Sequence, residues 1–496
     1  MEYIIGIDIG TGSTKAVALD LNFKPIDSSQ FFYPTTSPEQ GYSEQNPLLI
    51  WGAFINCINE LQHKLKAQPL TIGLSSAMHS LIMVDGRGEA LAPLITWADG
   101  RSSEEASLLR KSDEGIAVYR ATGTPIHAMS PLCKIMWLQK NAPALIKRTE
   151  KFISIKEYIW FKLFGEYAID QSIASATGLF NIHRLKWDEE SLRLAGIEAE
   201  NLSQIHPTDY SNKMLLPEAA ALLNGLNTTF VIGASDGCMA NLGSEATENG
   251  IAAITIGTSG AFRMASEKPV FNAQGMPFSY ILDRNTFICG GPVSNGGIAL
   301  QWLIKNIFEK TDLKAEDYRA LFDLVGSVPA GSNGLIFLPY LSGERAPIWD
   351  SEACGTFFGL NLTHKKAHMA KAVIEGICFA LNDVLKSVEG DSGNVKQVNI
   401  SGGFVHSKEW MQILADVTGK KLVLVLQEDA SAVGAAYLAA KSIRLSKGYP
   451  VVEHTKPGTI LPNYKNHLHY QETFLIFKQL YASLSTSMQQ LHRLKL

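Results

Sequence analysis

The first fifteen residues constrain the fold more than any other part of the chain. Tyr3 to Ile9 is almost continuously apolar and rich in β-branched residues, which is typical of a buried strand. One acid, Asp8, interrupts this run, and a buried carboxylate is costly unless it is paired or lies near a metal. Gly10 to Lys15 then combines two glycines, three hydroxyl side chains and one cation, and Ala16 to Leu21 predicts a second strand. The segment is therefore predicted to form a strand, a tight turn and a strand.

The turn has the composition of an anion-binding loop. Glycine lets the backbone approach an anion closely, the hydroxyls donate hydrogen bonds, and Lys15 adds positive charge. It differs from the Walker loop, in which Gly-Lys-Ser/Thr opens a helix. An ordinary glycine-rich hairpin is the alternative, but it gives no reason for Asp8. We therefore prefer a phosphate-sized ligand beside a buried acid.

Composition argues against several classes of function. The chain has 496 residues, of which 46% are hydrophobic and 19% charged, as in a globular protein of two or three domains. A net charge of −4 gives no electrostatic basis for binding nucleic acid or an anionic membrane. The six cysteines show no metal-ligand spacing, no apolar run is long enough to span a bilayer, and the N-terminus does not resemble a signal peptide. We expect a cytoplasmic protein with buried thiols.

Strands alternate with helices along the chain, which predicts a layered α/β fold. Asn46-Pro47 indicates a helix start, and Thr71 to Ser76 indicates a strand. The N-terminal pattern of strand and polar turn recurs twice, at Gly250 to Gly260 and at Val398 to Gly403. The recurrence suggests a duplicated fold with a shared cleft, and apolar periodicity over His467 to Leu496 predicts a terminal helix packed on the body.

Four further segments carry residue types suited to chemistry. Asp236 ends the apolar run that starts at Val231, and strand ends in α/β folds face the ligand crevice. A carboxylate there can take a proton from a hydroxyl, although a helix-capping aspartate is an open alternative. Met78-His79 and Trp97 to Arg101 offer apolar walls and oriented polar groups suited to a polyhydroxylated ligand. Gly343-Glu344-Arg345 indicates a loop held by an Arg–carboxylate pair, for which we favour a structural role between domains.

Taken together, these motifs resemble the FGGY family of carbohydrate kinases, within the actin-like ATPase superfamily. The resemblance runs from about residue 3 to about residue 445. Its specific parts are Met129 to Asn141, which fits the family's first signature, and Gly343 to Asp350 with Cys354-Gly355 and Gly359-Leu360, which fits the second. Cys354 stands where many members have arginine.

The resemblance implies an α/β fold of two actin-like (ribonuclease H-like) ATPase domains of duplicated topology, with the active site in the cleft between them. The implied domains are 1–246, with sugar and first phosphate loop, 247–445, with nucleotide, and an extension over 446–496. It implies ATP and Mg²⁺ as cofactors, Asp8 as the Mg²⁺ residue and Asp236 as general base. The implied nucleotide contacts are Thr11, Gly12, Ser13, Thr14, Lys15, Gly257, Thr258, Gly297, Gln301, Gly402, Gly403 and Ser407.

The substrate contacts implied are Met78, His79, Trp97, Asp99, Arg101 and Asp236. Within the family, Thr96 to Asp99 and Thr122 to His127 look more like gluconate kinases than xylulose kinases. This favours D-gluconate as the phosphoryl acceptor, giving 6-phosphogluconate, with D-xylulose as the alternative. A gluconate carboxylate needs a cation or strong donors, for which His79, Arg101, His127 and Lys134 are candidates.

Two other classes of protein are compatible with parts of this pattern. The N-terminal turn alone also suits an actin-like ATPase without a sugar substrate, but the two signatures and Asp236 argue against it. A catalytically inactive sensor is not favoured, because Asp8 and Asp236 are both present. We expect a small-molecule sugar or sugar acid as partner, and a homodimer is compatible with the sequence.

Overall fold

The computed structural model describes residues 2–272, 275, 277–310, 314–390, 394–425, 429–450 and 458–494. Within these residues the strands, in chain order, are β1 (Ile4–Ile9), β2 (Ser13–Leu19), β3 (Pro25–Phe32), β4 (Glu44–Gln45), β5 (Thr71–Ser76), β6 (Ile82–Val84), β7 (Leu94–Ile95), β8 (Lys151–Ile153), β9 (Ala168–Asp170), β10 (Phe180–Asn181), β11 (Lys186–Trp187), β12 (Gln204–His206), β13 (Ser211–Asn212), β14 (Thr229–Ser235), β15 (Ile251–Ile256), β16 (Gly260–Ser266), β17 (Phe278–Asp283), β18 (Thr286–Val293), β19 (Ile336–Leu338), β20 (Thr356–Phe358), β21 (Gln397–Ser401), β22 (Lys421–Leu424) and β23 (Thr459–Ile460).

The helices of the same residues are α1 (Pro47–Leu65), α2 (Ser103–Arg110), α3 (Asp113–Thr122), α4 (Pro131–Asn141), α5 (Pro143–Ile146), α6 (Ile155–Phe164), α7 (Gln171–Ser175), α8 (Glu189–Ala195), α9 (Pro217–Leu222), α10 (Asp236–Gly243), α11 (Gly297–Asn306), α12 (Ala315–Gly326), α13 (Lys366–Val388), α14 (Lys408–Thr418), α15 (Ala430–Ser442) and α16 (Tyr464–Leu494). Short 3₁₀ turns lie at Ala199–Asn201, Ser332–Gly334 and Gly403–His406.

The chain forms two compact units whose boundaries are not simply sequential. The first comprises Met1–Glu245, Ser266–Cys289 and Gln427–Glu453, and the second comprises Ala246–Ala265, Gly290–Leu426 and His454–Leu496. The sequence led us to expect one boundary after residue 246 and a separate extension from residue 446. Two later segments belong to the first unit instead, because α15 packs on β1 and β5, and β17 packs on α7. The predicted terminal helix is present as α16, which packs on α14 and β19 of the second unit.

The two units share one strand topology, as the repeated sequence pattern predicted. In the first unit the sheet order is β13-β14-β5-β1-β2-β3, with β1 antiparallel to β2 and parallel to β5. Within the second unit the order is β18-β16-β15-β21-β22-β23, with β15 antiparallel to β16 and parallel to β21. Each unit therefore builds an antiparallel hairpin and then extends the sheet through parallel strands. This is the duplicated, ribonuclease H-like arrangement expected from the sequence.

The N-terminal hairpin is tighter than the sequence indicated. Strand β2 starts at Ser13 rather than at Ala16, because Thr14 already pairs with Ile9 and the Gly10 amide donates to the Ser13 carbonyl at 3.0 Å. The alternation of a strand buries Thr14 completely and leaves Ser13 and Lys15 partly exposed. The turn itself is therefore short, and only part of the predicted loop lies in it.

Helix α15 approaches the first sheet so closely that glycine is required beneath it. A Cβ atom at Gly6 would lie 1.7 Å from the Ala432 carbonyl oxygen, and one at Gly73 would lie 2.1 Å from the Ala435 carbonyl oxygen. The facing part of α15 is correspondingly rich in alanine. This close packing places Asp429, at the start of α15, beside the N-terminal hairpin.

Among the described residues, no helix combines the length and the apolar character needed to cross a bilayer. All six cysteines are free, and all except the half-buried Cys354 are buried, as the sequence led us to expect.

Candidate active site

The first unit brings two predicted acids, Asp8 and Asp236, into electrostatic contact. Asp8 lies on β1 and accepts a hydrogen bond from the Ser75 hydroxyl of the parallel neighbour β5 at 2.8 Å. Burial, followed by the charges of Asp236 and Asp429, raises the pKa of Asp8 to about 7. A carboxyl group with such a pKa favours a neutralising partner, either a proton or a cation.

Asp236 is the first residue of α10, directly after β14. Ser235 is the N-cap of this helix and accepts from the Cys238 amide, so Asp236 is not the capping residue. The Asp236 Oδ1 accepts from the next amide, that of Gly237, at 2.7 Å, and the side chain is partly exposed. The alternative of a purely capping aspartate is therefore wrong, and the carboxylate stands at a strand end, where acid–base chemistry is accessible.

The residues of the N-terminal turn have different surroundings from one another. Gly12 is exposed and has open space beside it, and the Ser13 hydroxyl accepts from Gln30 at 2.8 Å. Thr11 accepts at its hydroxyl from the Trp97 indole N–H at 2.9 Å. Lys15 forms an ion pair with Asp429 at 2.6 Å.

Thr14 is the one member of the predicted turn whose side chain faces the core. Its hydroxyl lies 3.3 Å from that of Tyr33, which in turn donates to the Gly10 carbonyl at 2.6 Å. The Thr14 hydroxyl therefore stabilises the hairpin from its buried face through Tyr33. We do not retain it as a phosphate contact.

Met78 and His79 follow β5 in the same unit. Met78 packs against the apolar cluster that contains Ile169 and Ile173. His79 has a left-handed backbone (φ 64°), and its Nδ1 lies 2.8 Å from the Ala176 carbonyl, to which it donates. In a neutral ring, Nε2 is then an acceptor, which suits a hydroxyl of a ligand.

Lys134, in the first signature, is fully buried and does not present its charge to solvent. Its Nζ donates to the carbonyls of His79 and Thr96, the latter at 2.8 Å. Burial lowers the pKa of Lys134 to about 7. The lysine therefore ties together the two segments that carry the predicted substrate residues.

Arg101 is also engaged within the first unit. Its guanidinium donates to both carboxylate oxygens of Asp99 at 2.8 Å and to Glu44 at 2.6 Å, and it lies 3.7 Å from the centre of the Tyr42 ring. Asp99 additionally accepts from the Ser43 amide at 2.7 Å. Arg101 and Asp99 thus brace the loop that carries Trp97, and two carboxylates already neutralise the arginine.

The second unit contains a matching turn between β15 and β16. Gly257 and Thr258 are exposed in it, and the N-terminus of α11 is seated against it. The Gly297 amide donates to the Gly257 carbonyl at 2.7 Å, and the Gly296 amide donates to the Thr258 carbonyl at 3.1 Å. Two of the predicted nucleotide segments, distant in sequence, are therefore joined by backbone hydrogen bonds.

A cavity of about 770 Å³ opens beside this turn, within the second unit. The predicted residues that line it are Gly257, Thr258, Gly297, Gln301 and Gly403. Sequence reasoning missed its other walls, which are Ile256, Leu300, Ala315, Tyr318, Arg319, Phe322, Phe404, His406 and Trp410. Aromatic walls with a few polar groups are typical of a site for a small molecule or cofactor.

Two predicted nucleotide residues do not line this cavity. Gly402 is exposed immediately before the 3₁₀ turn that contributes Gly403. Ser407 is buried and acts as the N-cap of α14, accepting from the Trp410 amide at 3.2 Å. Ser407 therefore orients the helix that carries Trp410 rather than facing the cavity itself.

The Gly343–Arg345 loop supports the same unit through Glu344. This buried carboxylate accepts from the amides of Ser294 and Arg345, the latter at 2.8 Å, while Arg345 donates to the Val293 carbonyl at 3.2 Å. Backbone groups thus hold much of the loop, and the charge of Arg345 also favours the ionised form of Glu344. These contacts hold the loop against Val293 and Ser294, which precede α11.

Comparison with known proteins finds a family match over most of the chain. Residues 3–243 match the N-terminal domain, and residues 252–443 the C-terminal domain, of the FGGY family of carbohydrate kinases. A gluconokinase of Bacillus subtilis (strain 168) is 42% identical over 447 residues, which cover 88% of this chain and 87% of that protein.

Two solved structures from Lactobacillus acidophilus have the same fold. A gluconate kinase and a ligand-bound xylulose kinase each superpose with a TM-score of 0.94 at 34% identity. The gluconate kinase covers 99% of both chains, and the xylulose kinase covers 99% of this chain and 100% of its own. The chain belongs to the FGGY family of carbohydrate kinases.

Proposed function

We propose that this carbohydrate kinase transfers the γ-phosphoryl group of ATP to a hydroxyl of D-gluconate, giving 6-phosphogluconate. The observation that carries the proposal is the partly exposed Asp236 carboxylate, which does not cap its helix and interacts electrostatically with Asp8. The same unit holds the residues suited to a polyol. The choice of gluconate is supported by the 42% identity to a gluconokinase. ATP as donor follows from the family.

On the acceptor side, Asp236 is the general base. It is positioned at a strand end, where it can accept the proton of a sugar hydroxyl as that oxygen attacks the γ-phosphorus. The His79 Nε2 acceptor and the wall formed by Met78 and Trp97 would orient the rest of the polyol. Orientation matters because phosphoryl transfer depends mainly on positioning and charge stabilisation.

On the donor side, each unit by itself offers a polar turn whose backbone N–H groups and hydroxyls can bind phosphate oxygens. Thr11, Gly12, Ser13 and Lys15 contribute from the first unit, and Thr258 contributes from the second. The nucleoside occupies the 770 Å³ cavity, where Gln301 and Gly403 are polar or backbone contacts and Trp410 is an apolar wall. Gly402 and Ser407 do not line the cavity; Gly402 precedes the turn that carries Gly403, and Ser407 caps the helix that carries Trp410.

The residues around Asp8 suit Mg²⁺. Mg²⁺ is usually held by one or two carboxylates, several waters and the substrate phosphates, and it does not require a complete protein cage. Asp8 provides one carboxylate, whose pKa is raised first by burial and then by the charges of Asp236 and Asp429. The described residues contain no cluster of three or more His, Cys, Asp or Glu ligands. When bound, the ion would neutralise charge on the transferring phosphoryl group.

The carboxylate of gluconate needs a donor, and the structure narrows the candidates. Arg101 is bound by two carboxylates, Lys134 by two carbonyls, and His79 presents an acceptor. His127 accepts the Met129 amide at Nδ1, so its proton is on Nε2 in the neutral ring. Arg101 and Lys134 are therefore supporting residues, and His127 stays a candidate for the contact with the substrate carboxylate.

A substrate panel tests the proposal. ADP formation is measured with Mg²⁺ and ATP in the presence of D-gluconate, D-xylulose, glycerol or no acceptor. We expect strong stimulation by gluconate and a new phosphomonoester on that compound. Highest turnover with xylulose would overturn gluconate as substrate while keeping the kinase, and equal ADP release with and without acceptors would indicate an ATPase. The proposed location is the cytoplasm, where ATP is available.

A further inference from the structure

The backbone that carries Asp236 departs from the regular sheet just before it. The pairing of β14 with β5 shifts register between Val231 and Ala234. Gly233 lies there with a φ of 72°, and a Cβ atom on it would be 1.7 Å from the Leu74 carbonyl oxygen. Beyond the shift, Ala234 and Ser235 pair again with Ser75 and Ser76, so the irregularity sets a new direction for the last two residues before Asp236. Side chains that hold these two residues add to that pairing.

One such side chain is Lys156, on α6. Its Nζ donates to the Ala234 carbonyl at 2.9 Å and lies 2.7 Å from the Asp170 carboxylate. Lys156 is 1% exposed and Asp170 is 0% exposed. The pair is therefore an ion pair buried in the first unit, and its cation is directed at the backbone two residues before Asp236.

The other support begins at the same carboxylate. The Asp170 Oδ1 accepts from the Ile173 amide at 2.9 Å and so caps α7. Ser172, in the first turn of that helix, has its hydroxyl 3.1 Å from both the amide and the hydroxyl of Ser235. Asp170 thus organises both contacts, through Lys156 to Ala234 and through α7 to Ser235.

Stability alone gives a weak reason for this arrangement. A buried ion pair loses much of its Coulomb attraction to desolvation, and an apolar pair of similar volume is often equally stable. A fixed cation and a fixed hydroxyl do, however, help to define the direction of the backbone after the register shift in β14. Displacing a reacting group by about 1 Å can cost about 100-fold in rate.

We propose that the buried Lys156–Asp170 ion pair, with Ser172, positions the Asp236 carboxylate for catalysis. This inference rests on the proposed role of Asp236 as general base. Lys156, Asp170 and Ser172 are positioning residues, because each acts on the backbone before Asp236 and not on the substrate.

The first test compares two lysines of α6. Lys156→Met removes the buried cation, and Lys162→Met removes a partly exposed one that pairs with Glu89 at 3.1 Å. We expect Lys156→Met to lower kcat about 10- to 100-fold, with KM for ATP within two-fold of the wild type, and Lys162→Met to change neither. Equal kcat values for the two variants would overturn the inference.

A double-mutant cycle separates positioning from general damage to the fold. Both lysine variants are combined with Asp236→Asn, and transfer of labelled phosphate is measured for all forms. If Lys156 acts through Asp236, adding Lys156→Met to Asp236→Asn should lower the rate of phosphate transfer by less than about three-fold. If Lys156→Met lowers the rate by the same factor with and without Asp236→Asn, the positioning role is overturned, while the role of Asp236 as base is unaffected. Near-native turnover of the single variant Asp236→Asn would instead overturn the proposed base.

A smaller change covers the case in which Lys156→Met fails to fold. Ser172→Ala removes the hydroxyl that contacts Ser235, and Ser175→Ala removes a buried hydroxyl of the same helix that accepts from the Ile281 amide at 3.1 Å. We expect kcat to fall several-fold more for Ser172→Ala than for Ser175→Ala at similar Tm. Equal losses of kcat would contradict the positioning role.

Discussion

The Lys15 ammonium lies 2.6 Å from the Asp429 carboxylate, so the cation of the N-terminal turn is already paired. Both side chains are about one-quarter exposed, and Asp429 also contributes to raising the pKa of Asp8. The two residues come from opposite ends of the chain and meet because α15 packs on β1. A phosphate that binds Lys15 must therefore compete with a resident carboxylate.

Removing that competition should strengthen nucleotide binding. We expect Asp429→Asn to lower KM for ATP about three- to five-fold, since a partly exposed ion pair contributes about 1 kcal/mol or less. Steady-state kinetics at saturating acceptor measure this value. Asp27→Asn is the control, because Asp27 pairs with Lys64 in an exposed ion pair of the same unit. An unchanged KM for ATP would show that Lys15 does not contribute to binding the ATP phosphates.

Replacing the proposed base should affect turnover much more than nucleotide binding. Asp236→Asn keeps the shape of the side chain but cannot accept a proton, and a general base typically contributes 10²- to 10⁴-fold. We expect a loss of kcat of about this size and a nearly unchanged Kd for ATP. Asp113→Asn is a matched control, since Asp113 is also the first residue of a helix that follows a serine N-cap. Similar kcat values for the two variants would rule out Asp236 as base.

The pKa of Asp8 predicts how Mg²⁺ use depends on pH. Burial, and next the charge of Asp236, raises this pKa to about 7, and Mg²⁺ binds the ionised form. As pH falls below 7, protons compete with the metal, so we expect KM for Mg²⁺ to rise about ten-fold per pH unit. Kinetics between pH 6 and 8 measure this slope.

Stability of the metal-free protein should respond in the opposite direction. The folded-state pKa of Asp8 lies above its ordinary value of 3.8, so the native state binds the extra proton between about pH 4 and pH 7. The contribution of Asp8 therefore favours folding as pH falls through this window and is lost as pH rises through 7. Asp8→Asn should remove this contribution from the Tm profile, and an unchanged profile would contradict the raised pKa.

Lys134 should prove to be a supporting residue and not a ligand of the substrate carboxylate. Lys134→Met leaves the carbonyls of His79 and Thr96 without this donor, which we expect to lower the free energy of unfolding by about 2 to 4 kcal/mol. Because both segments carry substrate residues, KM should rise for gluconate and for any slower acceptor alike. The control is Lys140→Met, an exposed position on the same helix. A rise confined to gluconate, with normal urea stability, would restore Lys134 as the carboxylate ligand.

The close contact of α15 with the first sheet gives a stability prediction. In Gly6→Ala the new methyl group would lie 1.7 Å from the Ala432 carbonyl oxygen. Because the atoms it meets, in Ala432 and Ala436, belong to the backbone, we expect the free energy of unfolding to fall by at least about 3 kcal/mol. Gly52→Ala places the same group in open space on α1 and should stabilise the protein by up to about 1 kcal/mol. Urea unfolding of both variants measures the difference. Comparable stabilities would show that α15 can move away at little cost.

Sequence patterns predicted the local elements that the site depends on. Asn46 caps α1, and β5 spans the predicted Thr71 to Ser76, because capping side chains and apolar periods act over a few residues. The duplicated hairpins were predicted for the same reason, since each repeats one short pattern. The exact start of β2 was not predicted, because polar Ser13 and Lys15 fit a strand as well as a turn.

The supporting contacts had no sequence signal of this kind. Lys156 and Asp170 are fourteen positions apart on separate elements, and nothing local distinguishes them from surface residues until burial pairs them. Arg101 likewise looked like a free cation, because its partner Glu44 and the ring of Tyr42 come from a distant loop. Charge pairing in a folded protein depends on distance in space, which a single sequence does not give.

By itself, the sequence determined the hairpin that begins the chain, its acid Asp8, its phosphate-sized turn and the strand-end Asp236, because these are features of short segments. Only the tertiary structure decided how each charge is used. Folding buries Thr14 and pairs Lys15 with Asp429. It also engages Arg101 with Asp99 and Lys134 with the Thr96 carbonyl, and it directs Lys156 at the backbone before Asp236. The reason is physical: the cost of desolvating a charge forces it to find a partner, and packing across the chain decides which partner is within reach.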